Sequence, residues 1–568
     1  MALRWPPRTT LLNLSAILSI PAILISATTS AAPPTFSKQV APILFAHCAR
    51  CHQSGEIASS VSILTYEKAR SWAKDIREKV LLKEMPPWPA DPHRSLPFRN
   101  DARLDTADIQ TLVAWVDAGS PPGEPSDMPA IPRAAQGWLH PGGVPPDAVI
   151  RLPESEVPAA GEVPYVTHLV KIPFAEDKWI RAIQVWPGNG AVVHHMAITE
   201  VRAEPRFGSD SSPLALFARN AGFRNNLVLR EPVVAVPGEG GVYDLLGVYT
   251  PGQPFEMYGE GAAKLLKGGK DYYLDFNIHY QTTGKPEKDQ SAMALWFQPQ
   301  PPKRQIFRLN GAAESLVVNG RESLADDPGE KAEGTAAVIP PIPPHAANYE
   351  VVGMTAYTEP ITIYQLHPHA HLRAKDFTYT AVYRDGREQT LLSIPKYDFH
   401  WQLAYDLEKP LVLPAGSKLV VTAHYDNSVN NPANPAPEKE VHFLASGNQS
   451  WDEMFTPFIQ FAVDTENQAE HAEIVETAGC LSQTAAGNWQ LDKAAEPVRS
   501  TSQATSAAAL KADAAGRLGA REYQLIGAEF FHPAADKGSR IAVKGALIPG
   551  DSRINVTSLQ RLAAGCAE

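Results

Sequence analysis

The chain has 568 residues, 44% of them aliphatic or aromatic and 20% charged, with a formal net charge of −11. That length exceeds a single core and implies several domains, while the acidic balance argues against a nucleic-acid or anionic-membrane partner. The 51 prolines favour strands, loops and connectors over long helices.

Residues 1–32 read as a secretory signal: Arg4 and Arg8 lead, Leu11 to Ile25 form the apolar run, and small residues offer cleavage at Ala31 or Ala32. No later run has the length and apolarity of a membrane span, so an exported protein of a bacterial periplasm or the exterior is expected, with no span left after cleavage. Residues 33–125 are expected to be helical. Phe36, Val40, Ile43 and Leu44 share one face; a second helix carries Tyr66, Ala69, Trp72, Ala73, Ile76 and Val80 and stops before Met85-Pro86-Pro87-Trp88; a third runs from Thr106 through Ile109, Leu112, Val113 and Trp115 to Gly119. After the first of these comes Cys48-Ala-Arg-Cys51-His52, the attachment signature of one covalent c-type haem, with His52 as the proximal ligand. A redox or zinc CxxC site followed by a chance histidine is the alternative. The order of helix, haem motif, helix, methionine loop and helix resembles a small cytochrome c. The resemblance implies an all-α haem domain with Met85 as second axial ligand; Met128 and His93 are further candidates.

Residues 126–162 lack periodicity and read as a Pro/Ala/Gly-rich linker. Strand grammar follows in Val166–Ile172, Ile180–Trp186, Tyr272–Tyr280 and Ala292–Phe297, then in Tyr349–Val352, Phe377–Tyr383 and Lys418–Ala423. These runs predict two antiparallel β-sandwich domains, 163–305 and 306–467. A last unit, 470–568, has short strands around an Ala/Ser-rich insert and resembles the small OB-like β-barrels found at the ends of exported proteins. With two of four cysteines given to haem, Cys480 and Cys566 remain as the pair for a disulfide. Closing so long a loop is worth roughly 4–5 kcal/mol on the chain-entropy model.

The histidines are placed in a pattern. His194-His195 follows two valines at a strand end, His279 lies within Asn277-Ile-His-Tyr280, and His367-Pro-His369-Ala-His371 alternates. Alternate residues of an extended strand share a face, so His369 and His371 can reach one ion. Adjacent histidines do so only if the backbone bends or bulges. Imidazoles suit copper, zinc, iron or nickel, and spacing alone does not choose.

The segments Val192-Val-His-His-Met196, Asn277-Ile-His-Tyr280, His369-Ala-His-Leu-Arg-Ala-Lys375 and Asp452-Glu-Met454 occur in the order found in the copper type II, ascorbate-dependent monooxygenases. That family includes peptidylglycine α-hydroxylating monooxygenase and dopamine β-monooxygenase, and the chain resembles it over residues 163–465. The resemblance implies two β-sandwiches, each holding one of two copper ions across a solvent-filled cleft. It assigns the electron-storing copper to His194, His195 and His279, and the catalytic copper to His369, His371 and Met454. His367 with His369 is a competing register. His367 and Phe458 stand where the peptide enzymes carry an arginine and a tyrosine, so a peptide substrate is not expected. His424 is expected as a hydrogen-bonded loop residue and His345 as exposed. The expected function is hydroxylation of a C–H bond of a small organic substrate by O2, with electrons supplied through the haem from an unidentified donor. The alternatives are a non-catalytic haem/copper electron-transfer or copper-handling protein and a zinc hydrolase.

Overall fold

The structure is a computed structural model that describes residues 32–132, 137–204, 228–232, 245–270, 272–327, 337–443, 449–464 and 471–566. Residues 1–31 of the expected signal segment, 1–32, lie outside the described residues. Among the described residues, no helix is long and apolar enough to cross a membrane.

The expected fold class, an all-α cytochrome c domain followed by two β-sandwich domains and a small barrel, needs correction. The chain is mostly β, with 40% strand and 14% helix, and among the described residues there is no all-α cytochrome domain. Four short α-helices do form near the N-terminus: Ala41–His47, Tyr66–Ser71, Ala73–Leu81 and Thr106–Asp117. Thr65 and Asp105 cap two of them through side-chain oxygens that accept from Lys68 and Asp108 N–H groups. Trp72 breaks what the apolar spacing reads as one helix into two. The helices share a core of Phe36, Val40, Leu44, Leu112 and Trp115.

The helices keep this core of their own, but the segment between the third and fourth packs elsewhere, in the β core. Pro86, Pro87, Pro89, Pro92 and Pro97 keep residues 86–97 out of regular helix; the arm turns once, where the Ser95 N–H donates to the Asp91 carbonyl at 3.0 Å, and lies along the β-structure. Asp91 and Leu96 donate N–H groups to the Ser393 and Leu391 carbonyls, and Arg99 donates to Asp406. Trp88 and Phe98 sit in the larger β core, where the Trp88 ring lies 4.9 Å from that of Tyr405. Met85, at the root of this arm, is not packed in the helical core, whereas Met128 is.

A nine-stranded sheet is the spine of the molecule. In spatial order it contains Ala148–Arg151, Ala292–Gln298, Lys178–Trp186, Ala262–Leu266, Arg304–Asn310, Thr456–Asp464, Ile361–His369 and Tyr405–Leu413, with Phe255–Met257 paired to the side. The parallel pairing of Ala262–Leu266 with Arg304–Asn310 carries it across the middle of the chain. One half of the spine packs on a five-stranded sheet that includes Val166–Lys171, Tyr272–Tyr280, Val193–Glu204 and Leu245–Tyr249. The other half packs on a six-stranded sheet that includes Tyr349–Ala356, Lys418–Tyr425 and Ala374–Val382. Two facing layers therefore share one continuous sheet instead of forming two separate sandwiches.

At the C-terminus, Glu473–Gln483 pairs with both Trp489–Ala494 and Arg540–Leu547. Together with Arg521–Ile526 and Arg553–Ala563 it closes a five-stranded barrel. The barrel buries Leu481, Trp489 and Val543 against Val352, Val382 and Val420 of the six-stranded sheet. The Cys480–Cys566 disulfide spans 86 residues and ties the end of the chain to this barrel.

Candidate metal centre

Strand Tyr272–Tyr280 alternates as its sequence demands. Leu274, Phe276, Ile278 and Tyr280 are buried in the core, which places His279 on the opposite face. Opposite it in register lies His195. The pairing then slips between His279 and Tyr280, a β-bulge that leaves His194 extra on its strand. The bulge supplies the bend that two adjacent histidines need to face one point.

His194 Nδ1 lies 3.2 Å from His279 Nδ1 and 3.2 Å from His195 Nδ1, and the three donor atoms lie within 4.8 Å of one another. Nitrogens bound at about 2.0 Å to one ion at trigonal or tetrahedral angles stand about 3.3–3.5 Å apart, so the set fits a single metal. His194 Nε2, 3.2 Å from the His400 carbonyl, is placed to donate to it, which turns the Nδ1 lone pair toward the centre.

The second set is built differently. Strand Ile361–His369 ends at His369, and His371 lies in the turn beyond it, so the two are not alternate residues of one strand as the spacing suggests. His369 Nδ1 donates to Gln402 Oε1, leaving Nε2 facing Met454 Sδ at 3.1 Å. His371 Nδ1 lies 3.2 Å from the Asp452 carbonyl, and its Nε2 is fully buried without a hydrogen-bond partner. An orphaned buried nitrogen beside a second imidazole and a thioether fits a soft metal such as Cu(I).

Glu453 ties the two halves of this set together. Its carboxylate accepts from the His371 N–H at 2.9 Å and the Met454 N–H at 3.1 Å on one oxygen, and from the Arg373 N–H at 2.6 Å on the other. Burial raises its proton affinity to about 7 against the pull of those bonds. Tyr425 fixes the Met454 backbone by donating to its carbonyl at 2.8 Å.

The five histidines of the two sets are held as lone-pair donors. Burial lowers His194 to about 4, His279 to about 3 and His369 to about 4. It also holds His195 and His371 well below the ordinary imidazole value. Neutral imidazoles are the form that binds metals.

The two sets meet directly. The His195 and His369 rings are 6.0 Å apart. Phe399 touches both sets, with centroids 5.7 Å from His279 and 5.8 Å from His371. Tyr165 does the same, 4.7 Å from His279 and 6.1 Å from His371, with its buried hydroxyl unpartnered. The solvent-filled cleft implied by the family resemblance is thus replaced by aromatic contact. A small pocket, with room for about one water, opens at one side, lined by His194, His195, Thr250, His400, Trp401 and Gln402.

The remaining sequence candidates separate cleanly. His367 is buried on the spine strand beside Phe458, 6.1 Å away, and burial, with Arg308 nearby, lowers its pKa to about 3. His424 is held between Asp376 at 2.7 Å and Glu350 at 3.3 Å, and its partner Asp376 raises its proton affinity. His93 and His345 are exposed. Tyr165, Phe399 and Gln402 escaped the sequence reading because no local motif marks them.

At the haem motif, Cys48 and Cys51 are half-buried and unbridged. Burial pushes the Cys48 thiol up to about 12 and raises Cys51 as well, the opposite of an activated redox pair. His52 Nδ1 lies 3.0 Å from the Val61 carbonyl, which leaves Nε2 for an iron ligand bond. The residues therefore fit a haem at the two thiols and His52.

No known protein family matches the chain, and no curated protein does. Among solved structures, it is similar to PNGF-II at 8% identity and a TM-score of 0.21, spanning 56% of this chain and 65% of that one. Two virus structures are similar at 10% identity. Infectious bursal disease virus Gx strain has a TM-score of 0.13 over 58% of this chain and 76% of that one. The Macrobrachium rosenbergii nodavirus has a TM-score of 0.12 over 61% and 100%.

Proposed function

We propose that the chain is an exported copper-dependent monooxygenase that hydroxylates a C–H bond of a small organic substrate, fed by electrons through a covalent haem. The overall change is R–H + O2 + two electrons + two protons giving R–OH and water. The observation that carries this reading is the contact between two unlike donor sets, one of three imidazole nitrogens and one of two imidazoles and a thioether.

His194, His195 and His279 would hold one copper; His369, His371 and Met454 would hold the other; Cys48, Cys51 and His52 would hold the haem, with Met85 or Met128 as its second ligand. When bound, copper supplies one-electron redox change and reaction with O2, and haem supplies the electrons. The chain's own residues perform the supporting work. Gln402 and the Asp452 carbonyl orient His369 and His371, Glu453 clamps the turn that carries His371 to Met454, and Phe399 and Tyr165 exclude water between the sets.

A second reading, a non-catalytic haem/copper electron-transfer or copper-handling protein, draws on one observation: a pocket beside the metal sets opens on the all-histidine side, at His194 and His195, while His371 is completely buried. Metal analysis with copper EPR on haem-loaded protein tests the main reading. Two type II copper signals per covalent haem, with O2 uptake that depends on substrate and is lost in Met454→Ile, are expected. Zinc in place of copper, or one copper per haem, would overturn it. Copper uptake that Met454→Ile leaves unchanged, without O2 consumption, would favour the second reading.

A further inference from the structure

The turn that carries the haem motif lies against the strands that carry the histidine triad. At Gly190, four residues before His194, an added Cβ would stand 2.8 Å from the Gly55 carbonyl oxygen and 3.2 Å from the Glu56 carboxylate. At Gly252, whose φ is +83°, it would stand 3.2 Å from the Arg50 side chain, between the two cysteines. At Gly190 the approach of the Gly55 backbone itself excludes a side chain, whereas at Gly252 the positive φ favours glycine and the neighbour is a flexible side chain.

One hydrogen-bonded bridge crosses this contact. The Ala58 N–H donates to the Cys51 carbonyl at 3.1 Å. The same peptide group presents its other side, the Ile57 carbonyl, to Gln281 Nε2 at 3.1 Å. Gln281 Nε2 also donates to the Ala191 carbonyl at 2.8 Å, and the Gln281 N–H donates to Val192 at 2.8 Å. Gln281 lies two residues after His279, and Ala191 three before His194. The Ile57–Ala58 peptide and the Gln281 amide thus join the haem-bearing cysteine to both strands of the triad.

We propose that the Ile57–Ala58 peptide group and Gln281 are the electronic contact between the haem turn and the His194/His195/His279 set, with Gln281 as the residue that positions it. This rests on the haem and copper assignments made under the proposed function. The step moves one electron: ferrous haem becomes ferric, cupric ion at the triad becomes cuprous, no bond forms or breaks, and no proton moves. Electron tunnelling falls off less steeply along bonded and hydrogen-bonded atoms than through space, and the covalent tether keeps donor at acceptor.

The test uses the full chain with one covalent haem and copper at the triad, under anaerobic conditions. Reoxidation of ferrous haem by the cupric triad is followed at the haem absorption band in wild type and in Gln281→Met, which keeps the length of the side chain and removes both donors. A severalfold slower transfer with both reduction potentials unmoved is expected. In the metal-free chain, the same substitution is expected to hasten hydrogen exchange at residues 55–58 while the strand Tyr272–Tyr280 keeps its protection. Gly190→Ala, which lifts the turn by a different contact, must slow the transfer too and guards against a folding defect in the first variant. An unchanged rate, or a slower rate accounted for by a shifted potential, overturns the proposal. Wild-type protein that loads both metals but passes no electron overturns it while leaving the metal assignments standing. Failure to attach haem or to fill the triad overturns those assignments, and the proposal with them.

Discussion

Replacing Gln402 with leucine isolates one claim about the second donor set. Gln402 is buried; its Oε1 accepts from His369 Nδ1 and its Nε2 donates to the Phe399 carbonyl at 3.1 Å. Leucine fills similar space but makes neither bond. The His369 N–H and the Phe399 carbonyl are then left without partners, at about 1–3 kcal/mol for each buried group. For metal binding, loss of the partner that orients a ligating imidazole costs about 10–100-fold in affinity, or about 1.4–2.7 kcal/mol. The weakening is confined to the His369/His371/Met454 set, because nothing in the triad bonds to the Gln402 side chain. The assay is a copper titration followed by EPR, with the triad signal as internal reference, beside a denaturant melt. Gln402→Glu, which keeps the acceptor, is expected to recover most of the affinity. Equal weakening of both sets, or an unchanged second set in a folded variant, would refute the orienting role.

Trp88→Ala removes a ring packed between Phe98 and Tyr405 and is expected to cost about 3–5 kcal/mol of global stability. The β-sheet signal must report it in a denaturant melt; loss confined to the helical signal would show that the arm is not part of the β core. Opening the 86-residue loop by Cys480→Ser with Cys566→Ser is expected to lower stability by at most roughly 4–5 kcal/mol, read as a fall in thermal midpoint that reduction of the wild type reproduces. Lys418 is wholly buried, and its ammonium donates to the Gly527 and Val556 carbonyls and faces the Phe530 and Phe531 rings, with no carboxylate paired to it among the described contacts. Burial lowers its pKa from 10.5 to about 7. Between those values the unfolded chain holds the extra proton, so this residue makes stability rise with pH from about 7 upward. Lys418→Met is expected to be more stable than wild type at pH 7 and to lose that rise; an unchanged slope in pH-dependent melts would count against it.

What the sequence made legible were features whose cause is local. Tyr272–Tyr280 was readable because strict alternation leaves no doubt about which side chains face the core, and that alternation put His279 on the outer face. The His-His and His-x-His spacings pointed to clustered histidines, but what gathers them is not alternation: a bulge turns in His194, and His371 lies beyond the end of its strand. The helical segment was readable as helices but not as part of a larger unit. Trp88 and Phe98 carry no periodicity, and their partner Tyr405 lies about three hundred residues away. An arm stiffened by five prolines reads equally as the methionine loop of a haem domain. The parallel pairing of Ala262–Leu266 with Arg304–Asn310 was invisible too, since no local pattern distinguishes an edge strand from one that continues a neighbouring layer. Tyr165, Phe399 and Gln402 act only by where the fold puts them.

The glycines at 190 and 252 show where such information is hidden. In sequence each reads as a turn residue, Gly190 within Pro187-Gly-Asn-Gly190 and Gly252 after Pro251. For Gly252 that reading is sufficient, since its positive φ alone would select glycine. Gly190 has no such backbone requirement; what forbids a side chain there is the carbonyl of Gly55 on a distant turn. The two positions are therefore separable by substitution. Asparagine, which tolerates the left-handed region, is expected to be accepted at 252 insofar as Arg50 can shift, whereas at 190 every side chain meets backbone. If Gly190→Ala proved as benign as Gly252→Asn in thermal melts and in hydrogen exchange of residues 55–58, the close seating of the haem turn on the histidine strands would be wrong.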